Sequence, residues 1–351
     1  MAMKGILYQN NRELFVKAQN NITKQSNTPL LTLKQLLKSD IEKVDELIYK
    51  LVINKIDLIP EISNHTISSG GKRLRPLLTL ASAKLCGYKG SNHIDLAASV
   101  EFIHTATLLH DDVVDKSDLR RGNKTANNLW GNKESILVGD FLLGKSFDLM
   151  GAANSLDIYR ILSNAAVVIS EGEVLQLSAS GNIEDGKEQY FTIISAKTAE
   201  LFAAACEVGA VLAEKPTAEV EAIRNYGLNL GIAFQIVDDL LDYFSSENDM
   251  GKSVGDDFKE QKVTLPVIKA YKNSSDEEKA FWQRCINDGS QSEDDIKTAI
   301  NYMKSHNVYE TVMEKAFEYA DIAKKSLEVF EDSEYKSTLI DIADFSVKRT
   351  N

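Results

Sequence analysis

An all-α fold, a single large helical bundle, is what this 351-residue sequence predicts, on three observations. Only five prolines interrupt the chain, at 29, 60, 76, 216 and 266, so long helices meet few breakers. From about residue 33 apolar residues recur at spacings of three and four, the helical period. No alternating runs bounded by turns mark strands, no short-period repeat is present, and no Pro/Gly/Ser-rich linker divides the chain.

The elements follow in order. Residues 1–32 form an N-terminal extension expected to be poorly ordered, and 33–351 form one domain. Residues 1–28 are Asn-rich, with three lysines and one arginine against one glutamate, a composition that gives weak support to an organellar transit peptide. "LKQLLKSDIEKVDELIYKLV" sets Leu33, Leu36, Leu37, Ile41, Val44, Leu47 and Ile48 on one helical stripe. "HIDLAASVEFIHTATLLHDDVVD" is a long apolar helix, followed by helices in "KESILVGDFLLGKSFDLMGAA" and "DIYRILSNAAVVISEGEVLQLSA". "EQYFTIISAKTAELFAAACEVGAVLA", "PTAEVEAIRNYGLNLGIAFQIVDDLLDYF" and the last third from "PVIKAYK" onward continue the pattern. Gly and Ser/Asn/Asp clusters near 67–71, 120–124, 151–155, 180–186 and 246–257 mark the breaks. Stretches such as "TATLL" and "AAACEVGAVLA" are apolar nearly all round, which places their helices centrally.

The formal net charge of -12 argues against a nucleic-acid binder, which needs a basic surface. Cys86, Cys206 and Cys285 are far apart, odd in number and in no metal-ligand spacing, so they read as reduced thiols of a cytoplasmic chain. No apolar run reaches the roughly 18 residues of a transmembrane helix.

Two acidic clusters carry the chemistry. "LLHDDVVD" ends an apolar run with Asp111, Asp112 and Asp115, and "FQIVDDLLDY" repeats the device with Asp238, Asp239 and Asp242. Asp111 and Asp115, and likewise Asp238 and Asp242, are four apart, on one helix face at about 5–6 Å between Cβ atoms. Like charges so placed repel, and more strongly beside an apolar helix body. Hard divalent cations relieve the repulsion and bind through one or two carboxylates plus substrate phosphates. A solvated acidic turn explains one such cluster; two copies, both after apolar helix, favour metal. Cationic residues bracket them: Lys72, Arg73 and Arg75 in "SGGKRLRP", Arg120 and Arg121 in "DLRRG", and Lys252, Lys259 and Lys262 in "DMGKSVGDDFKEQKVTLP", a polar segment suited to a closing lid. Together they describe a magnesium diphosphate site.

With these motifs, and with "EFIHTATLLHDDVVDKSDLRRG", "LVGDFLL", "SEGEVLQL" and "AKTAELF", the chain resembles the trans-polyprenyl diphosphate synthases, most closely the long-chain bacterial octaprenyl type. The resemblance runs from about residue 33 to the C-terminus. It implies the isoprenoid synthase type of all-α bundle, with a deep central cavity, working as a homodimer. It implies condensation of isopentenyl diphosphate with an allylic diphosphate, farnesyl diphosphate by expectation, to a long all-trans product for a quinone side chain. Lys72, Arg75, His104 and Arg121 would hold the isopentenyl diphosphate. Asp111 and Asp115 would bind two Mg2+ ions, with Asp112 in support; Asp238 would take a third, supported by Asp239 and Asp242. Arg120, Lys197, Lys252 and Lys262 would contact the allylic diphosphate, and the oxygens of Thr198 and Gln235 would steady a carbocation. His104, seven residues before Asp111, shares its face; His110 reads as structural. Residues 260–262 are "EQK" where the family usually has "EGK", and Gln261 lacks glycine's backbone freedom.

Product length has its own candidates. Ala106 and Thr107, small residues one turn before Asp111, are expected to open a deep tunnel, with Phe147 or Met150 on the neighbouring helix as its floor. Ala106→Phe would then shorten the product. Apolar helices such as 158–178 would supply the dimer interface, and product release implies transient membrane contact. Three rivals remain. "GDFLLGKS" at 139–146 satisfies the P-loop pattern, but its interior is bulky and no βα alternation surrounds it. A noncatalytic subunit of a heteromeric synthase is disfavoured by two intact clusters. A terpene cyclase shares the first cluster but typically lacks the second and the "GGKRLR" segment.

Overall fold

The computed structural model describes residues 28–69, 71–184, 186–244 and 255–349 of the chain. Lys252 therefore lies outside the described residues. The architecture is all-α, with one two-residue strand pair among the described residues.

The helices begin four residues earlier than the periodicity predicts. α1 spans Pro29–Leu36; the Thr28 side chain accepts from Leu31 N–H, Pro29 occupies the first turn, and Leu30 and Leu33 are buried. Pro29 reads as a breaker in the sequence, yet its fixed φ suits a helix start. α2 (Lys38–Val52), α3 (Leu58–Ser68) and α4 (Leu74–Leu85) follow. α5 (Asn92–Val114) is buried along most of its length and carries the first acidic cluster at its C-terminal end. Lys116, left-handed at φ 51°, turns the chain away.

The next stretch corrects the absence of strands. Leu119–Arg120 (β1) pairs antiparallel with Asn123–Lys124 (β2). Arg121 and Gly122 between them sit at φ 52° and 77°, the double left-handed turn that a two-residue hairpin requires. Two-residue strands are too short for a period-2 pattern. The helices then continue as α6 (Ala126–Trp130), α7 (Asn132–Ala152), α8 (Leu156–Ala179) and α9 (Gly186–Ile194).

A π-helical turn, Ser195–Ala199, joins α9 to α10 (Glu200–Leu212). α10 is buried nearly all round, as "AAACEVGAVLA" predicts, and packs against α4, α8 and α11 (Thr217–Phe244). α11 carries the second acidic cluster at its C-terminal end. α12 (Asp256–Lys259), α13 (Leu265–Asn273), α14 (Asp276–Trp282), α15 (Asp295–Ser305), α16 (Val308–Ser326) and α17 (Glu334–Lys348) complete the fold. The three cysteines are buried and free.

The P-loop pattern at 139–146 lies inside α7, with no phosphate-cradling loop. Gly139 has another use: a Cβ there would fall 2.4 Å from His110 Nε2, so the glycine lets α5 and α7 approach. His110 packs there, its Nε2 3.2 Å from the Ile136 carbonyl and 3.5 Å from Asp140, the structural role expected of it.

Candidate active site

The C-terminal ends of α5 and α11 open onto one cavity of about 1010 Å³. Lys72, Arg75, His104, Thr107, Asp111, Asp115, Arg120, Arg121, Lys197, Thr198, Gln235, Asp238, Asp239, Asp242 and Lys262 all line it. Residues 190 positions apart in sequence thus share one chamber.

Within each cluster the helix divides the work. Asp111 and Asp115 share the cavity face. Asp112, one residue on, is 2% exposed, lies outside the lining and accepts from Arg120 Nε and Nη2 at 2.8 and 2.7 Å. The middle aspartate thereby anchors the β1–β2 hairpin. Asp239 is likewise occupied: its two oxygens accept from Tyr190 Oη at 2.6 Å and Gln235 Nε2 at 2.7 Å. Asp242 Oδ2 accepts from the Asp257 backbone N–H at 3.2 Å, tying α12 to the end of α11.

Cations complete the electrostatics. Lys262 reaches from the segment after the second cluster to Asp115 Oδ2 of the first at 3.4 Å, and also pairs with Asp257 and Glu260. Gln261 beside it takes φ 56°, so the glycine-like conformation is kept at a cost of roughly 1–2 kcal/mol in backbone strain. Lys197 pairs with Glu173 of α8 at 2.8 Å. The π turn that presents Lys197 and Thr198 fits because Gly172 has no side chain; a Cβ there would lie 2.8 Å from Lys197 N.

Arg75 lies over the Phe202 ring, 4.4 Å from its centroid, with Nη1 3.2 Å from His104 Nε2. Burial, then the surrounding arginines, holds the His104 imidazole well below its ordinary pKa, so it is neutral. Arg73 is committed to structural partners. Left-handed at φ 53° and buried, it pairs with Glu101 at 2.6 Å and Asp45 at 3.5 Å, fixing the loop between Lys72 and Arg75.

Three groups carry shifts that a metal diphosphate would relieve. Burial first, with the Glu173 and Asp115 carboxylates adding to it, pushes Asp111 up to about 7. Burial and the neighbouring Asp257 push Asp239 well above the usual carboxylate range, against the pull of the Tyr190 and Gln235 donors. Burial and the Arg349 charge lower Lys72 to about 8. Among the described residues no three His, Cys, Asp or Glu groups converge into a closed cage. Asp111, Asp115, Asp238 and Asp242 around an open cavity instead fit a hard divalent cation whose remaining ligands come from phosphate and water.

The chain-length candidates divide. Thr107 lines the cavity, whereas Ala106 is 1% exposed and packs into the core. Five residues from Asp111 is about 140° round a helix, while four and three, Thr107 and Leu108, share its face. Met150 is 0% exposed, in a core cluster with Val100 and Ile103, and Phe147 is 36% exposed on the outer side of α7; neither floors this cavity. Sequence reasoning also missed Glu173, Gln176, Tyr190, Asp257 and Arg349, which line it. Arg349 stacks on Phe234 at 3.7 Å and donates to the Phe234 carbonyl at 2.8 Å and to Asp238 Oδ1 at 3.3 Å.

Comparison with known proteins fits this chamber. The polyprenyl synthetase family model matches residues 56–303. The octaprenyl diphosphate synthase of Haemophilus influenzae is 40% identical over 326 residues, covering 93% of this chain and 99% of the relative. A polyprenyl synthase from Caulobacter crescentus, solved with calcium and isoprenyl diphosphate, superposes with TM-score 0.90 at 45% identity, over 93% of this chain and 100% of that one. A decaprenyl diphosphate synthase from Rhodobacter capsulatus gives 0.87 at 48% identity, over 91% and 98%. The chain belongs to the polyprenyl synthetase family and is a trans-prenyltransferase that makes polyprenyl diphosphate.

Proposed function

We propose that the chain, with Mg2+, condenses isopentenyl diphosphate with farnesyl diphosphate and repeats the step to octaprenyl diphosphate, the side chain of a quinone. The observation that carries this is the shared cavity, in which two carboxylate clusters face Lys72, Arg75, Arg120, Arg121, Lys197 and Lys262. The name of the Haemophilus relative supports eight units, and the calcium and isoprenyl diphosphate of the Caulobacter structure support a metal-bound diphosphate.

Asp111, Asp115 and Asp238, with Asp242 in support, would hold Mg2+, which would supply Lewis-acid neutralisation of the leaving diphosphate; three ions are expected. The protein's own groups do the rest. Arg120, Lys197 and Lys262 orient the allylic diphosphate, and Lys262 already reaches Asp115 of the first cluster. Lys72, Arg75, Arg121 and neutral His104 hold the isopentenyl diphosphate. The allylic C–O bond breaks, the isopentenyl double bond forms the new C–C bond, and one proton leaves to the departing diphosphate. Thr198 and Gln235 turn oxygens toward the positive carbon, and water is kept out by the apolar wall of Leu108, Ile169, Ile194 and Leu201.

The active unit proposed is a homodimer. Leu156, Val167, Val174 and Leu177 of α8 and Leu137 of α7 leave an exposed apolar face that a second copy would cover. Among the described residues no helix is long and apolar enough to cross a membrane, so release of the lipid product calls for transient contact with one. Purified protein with Mg2+ and both substrates should release diphosphate, and none after chelation. Cyclic hydrocarbon from farnesyl diphosphate alone would assign a cyclase instead.

A further inference from the structure

Tyr190 belongs to none of the roles above, yet it is 3% exposed, lines the cavity and bonds an aspartate of the second cluster. The hydrogen bonds run in series. Tyr190 Oη donates to Asp239 Oδ2 at 2.6 Å, and Gln235 Nε2 donates to Asp239 Oδ1 at 2.7 Å. The other end of the amide, Gln235 Oε1, accepts from Thr198 Oγ1 at 2.8 Å. The amide orientation follows from this network: a flipped amide would set its oxygen against a carboxylate oxygen and its NH2 toward the cavity. Asp239, with one oxygen accepting from Tyr190, presents the other to Gln235. That holds Gln235 Oε1 outward and commits the Thr198 proton, leaving the Thr198 lone pairs to the cavity.

We propose that Tyr190 is a positioning residue for prenyl transfer: it clamps Asp239, and through Asp239 it fixes the oxygens of Gln235 and Thr198 that face the cationic carbon. The same clamp keeps Asp239 out of the metal set, leaving Asp238 and Asp242 for that task. Without the hydroxyl the carboxylate is free to turn from Gln235 and the amide to rotate, bringing an NH2 dipole against developing positive charge. Ring placement is independent of the hydroxyl, because Tyr190 also packs edge-on against Phe191 at 5.2 Å. Phenylalanine therefore removes the clamp and keeps the shape.

The inference rests on the prenyl-transfer reading, so the wild-type chain is assayed beside the variants. Tyr190→Phe should lower kcat on the order of ten-fold while KM for both substrates stays within about two-fold, the pattern of an interaction made in the transition state. The loss should grow with a 2-fluoro allylic substrate, whose cation is electron-poor; a merely structural tyrosine would not produce that dependence. In a Gln235→Leu background the same substitution should add nothing, since Tyr190 acts through Gln235. Asp239→Asn, nearly isosteric, should give the same kcat loss and stands in if Tyr190→Phe misfolds. An unchanged kcat, a loss confined to KM, or a full extra loss in the Gln235→Leu background overturns the inference. A wild-type chain that does not elongate at all overturns the reaction itself, a different result from an active wild type with an equally active Tyr190→Phe.

Discussion

Replacing Arg73 by methionine would strip the counter-charge from a carboxylate that has nowhere to go. Arg73 and Glu101 are both under a tenth exposed, their contact is 2.6 Å, and Asp45 adds a second acidic partner at 3.5 Å. A buried pair broken from one side costs about 3–5 kcal/mol, because the remaining charge is stranded. Arg73→Met should therefore lower the urea midpoint by that energy divided by the m-value. Arg73→Met/Glu101→Leu should recover most of the loss, since an apolar replacement of both partners is often neutral. The functional consequence is local. Lys72 and Arg75 flank Arg73, so KM for isopentenyl diphosphate should rise in the single variant while KM for the allylic substrate holds. A single variant within about 1 kcal/mol of wild type, or a double variant no better than the single, would mean that Glu101 is not stranded without Arg73.

The remaining predictions concern pH, product size, the lid and assembly. Asp111, near 7, takes up a proton as pH falls and then binds cations poorly; Lys72, near 8, loses its proton as pH rises and then holds diphosphate poorly. A plot of kcat/KM against pH should fall on both sides, with the acid limb moving lower as Mg2+ is raised and competes with the proton for Asp111, and Lys72→Arg should remove the alkaline limb. Thr107→Phe narrows the cavity and should shorten the product, whereas Ala106→Phe overpacks the core at about 1–3 kcal/mol; unchanged product size with Thr107→Phe counts against the cavity as the product channel. Gln261→Gly relieves left-handed backbone and should leave Tm unchanged or higher, while Gln261→Val should lower it. Val174→Lys/Leu177→Lys should halve the mass seen by light scattering if α8 joins two copies; an unaltered mass points to another face.

What the sequence carried was local geometry. The i, i+4 spacing of Asp111 with Asp115 and of Asp238 with Asp242 is a property of one helix, and both pairs line the cavity. The central place of α10 was legible because its residues are apolar on every side. The partners of the aspartates were not. Arg120 meets Asp112 only because a two-residue hairpin folds back, and Tyr190 meets Asp239 only through the crossing of α9 with α11. Glu173 in α8 and Arg349 just past the end of α17 reach the site through packing, not through any sequence pattern. Ala106 lies one position off the cavity face: a shift of a single residue turns a side chain about 100° round the helix. Gln261 shows the reverse case, a departure from the expected glycine that the fold absorbs with the same left-handed turn.

Long-chain prenyl transfer is read out by incubating the purified chain with Mg2+, farnesyl diphosphate and labelled isopentenyl diphosphate, then sizing the products by chromatography. Label should appear in a ladder of prenyl diphosphates ending at eight units. Absence of label in any product longer than the primer would contradict prenyl transfer.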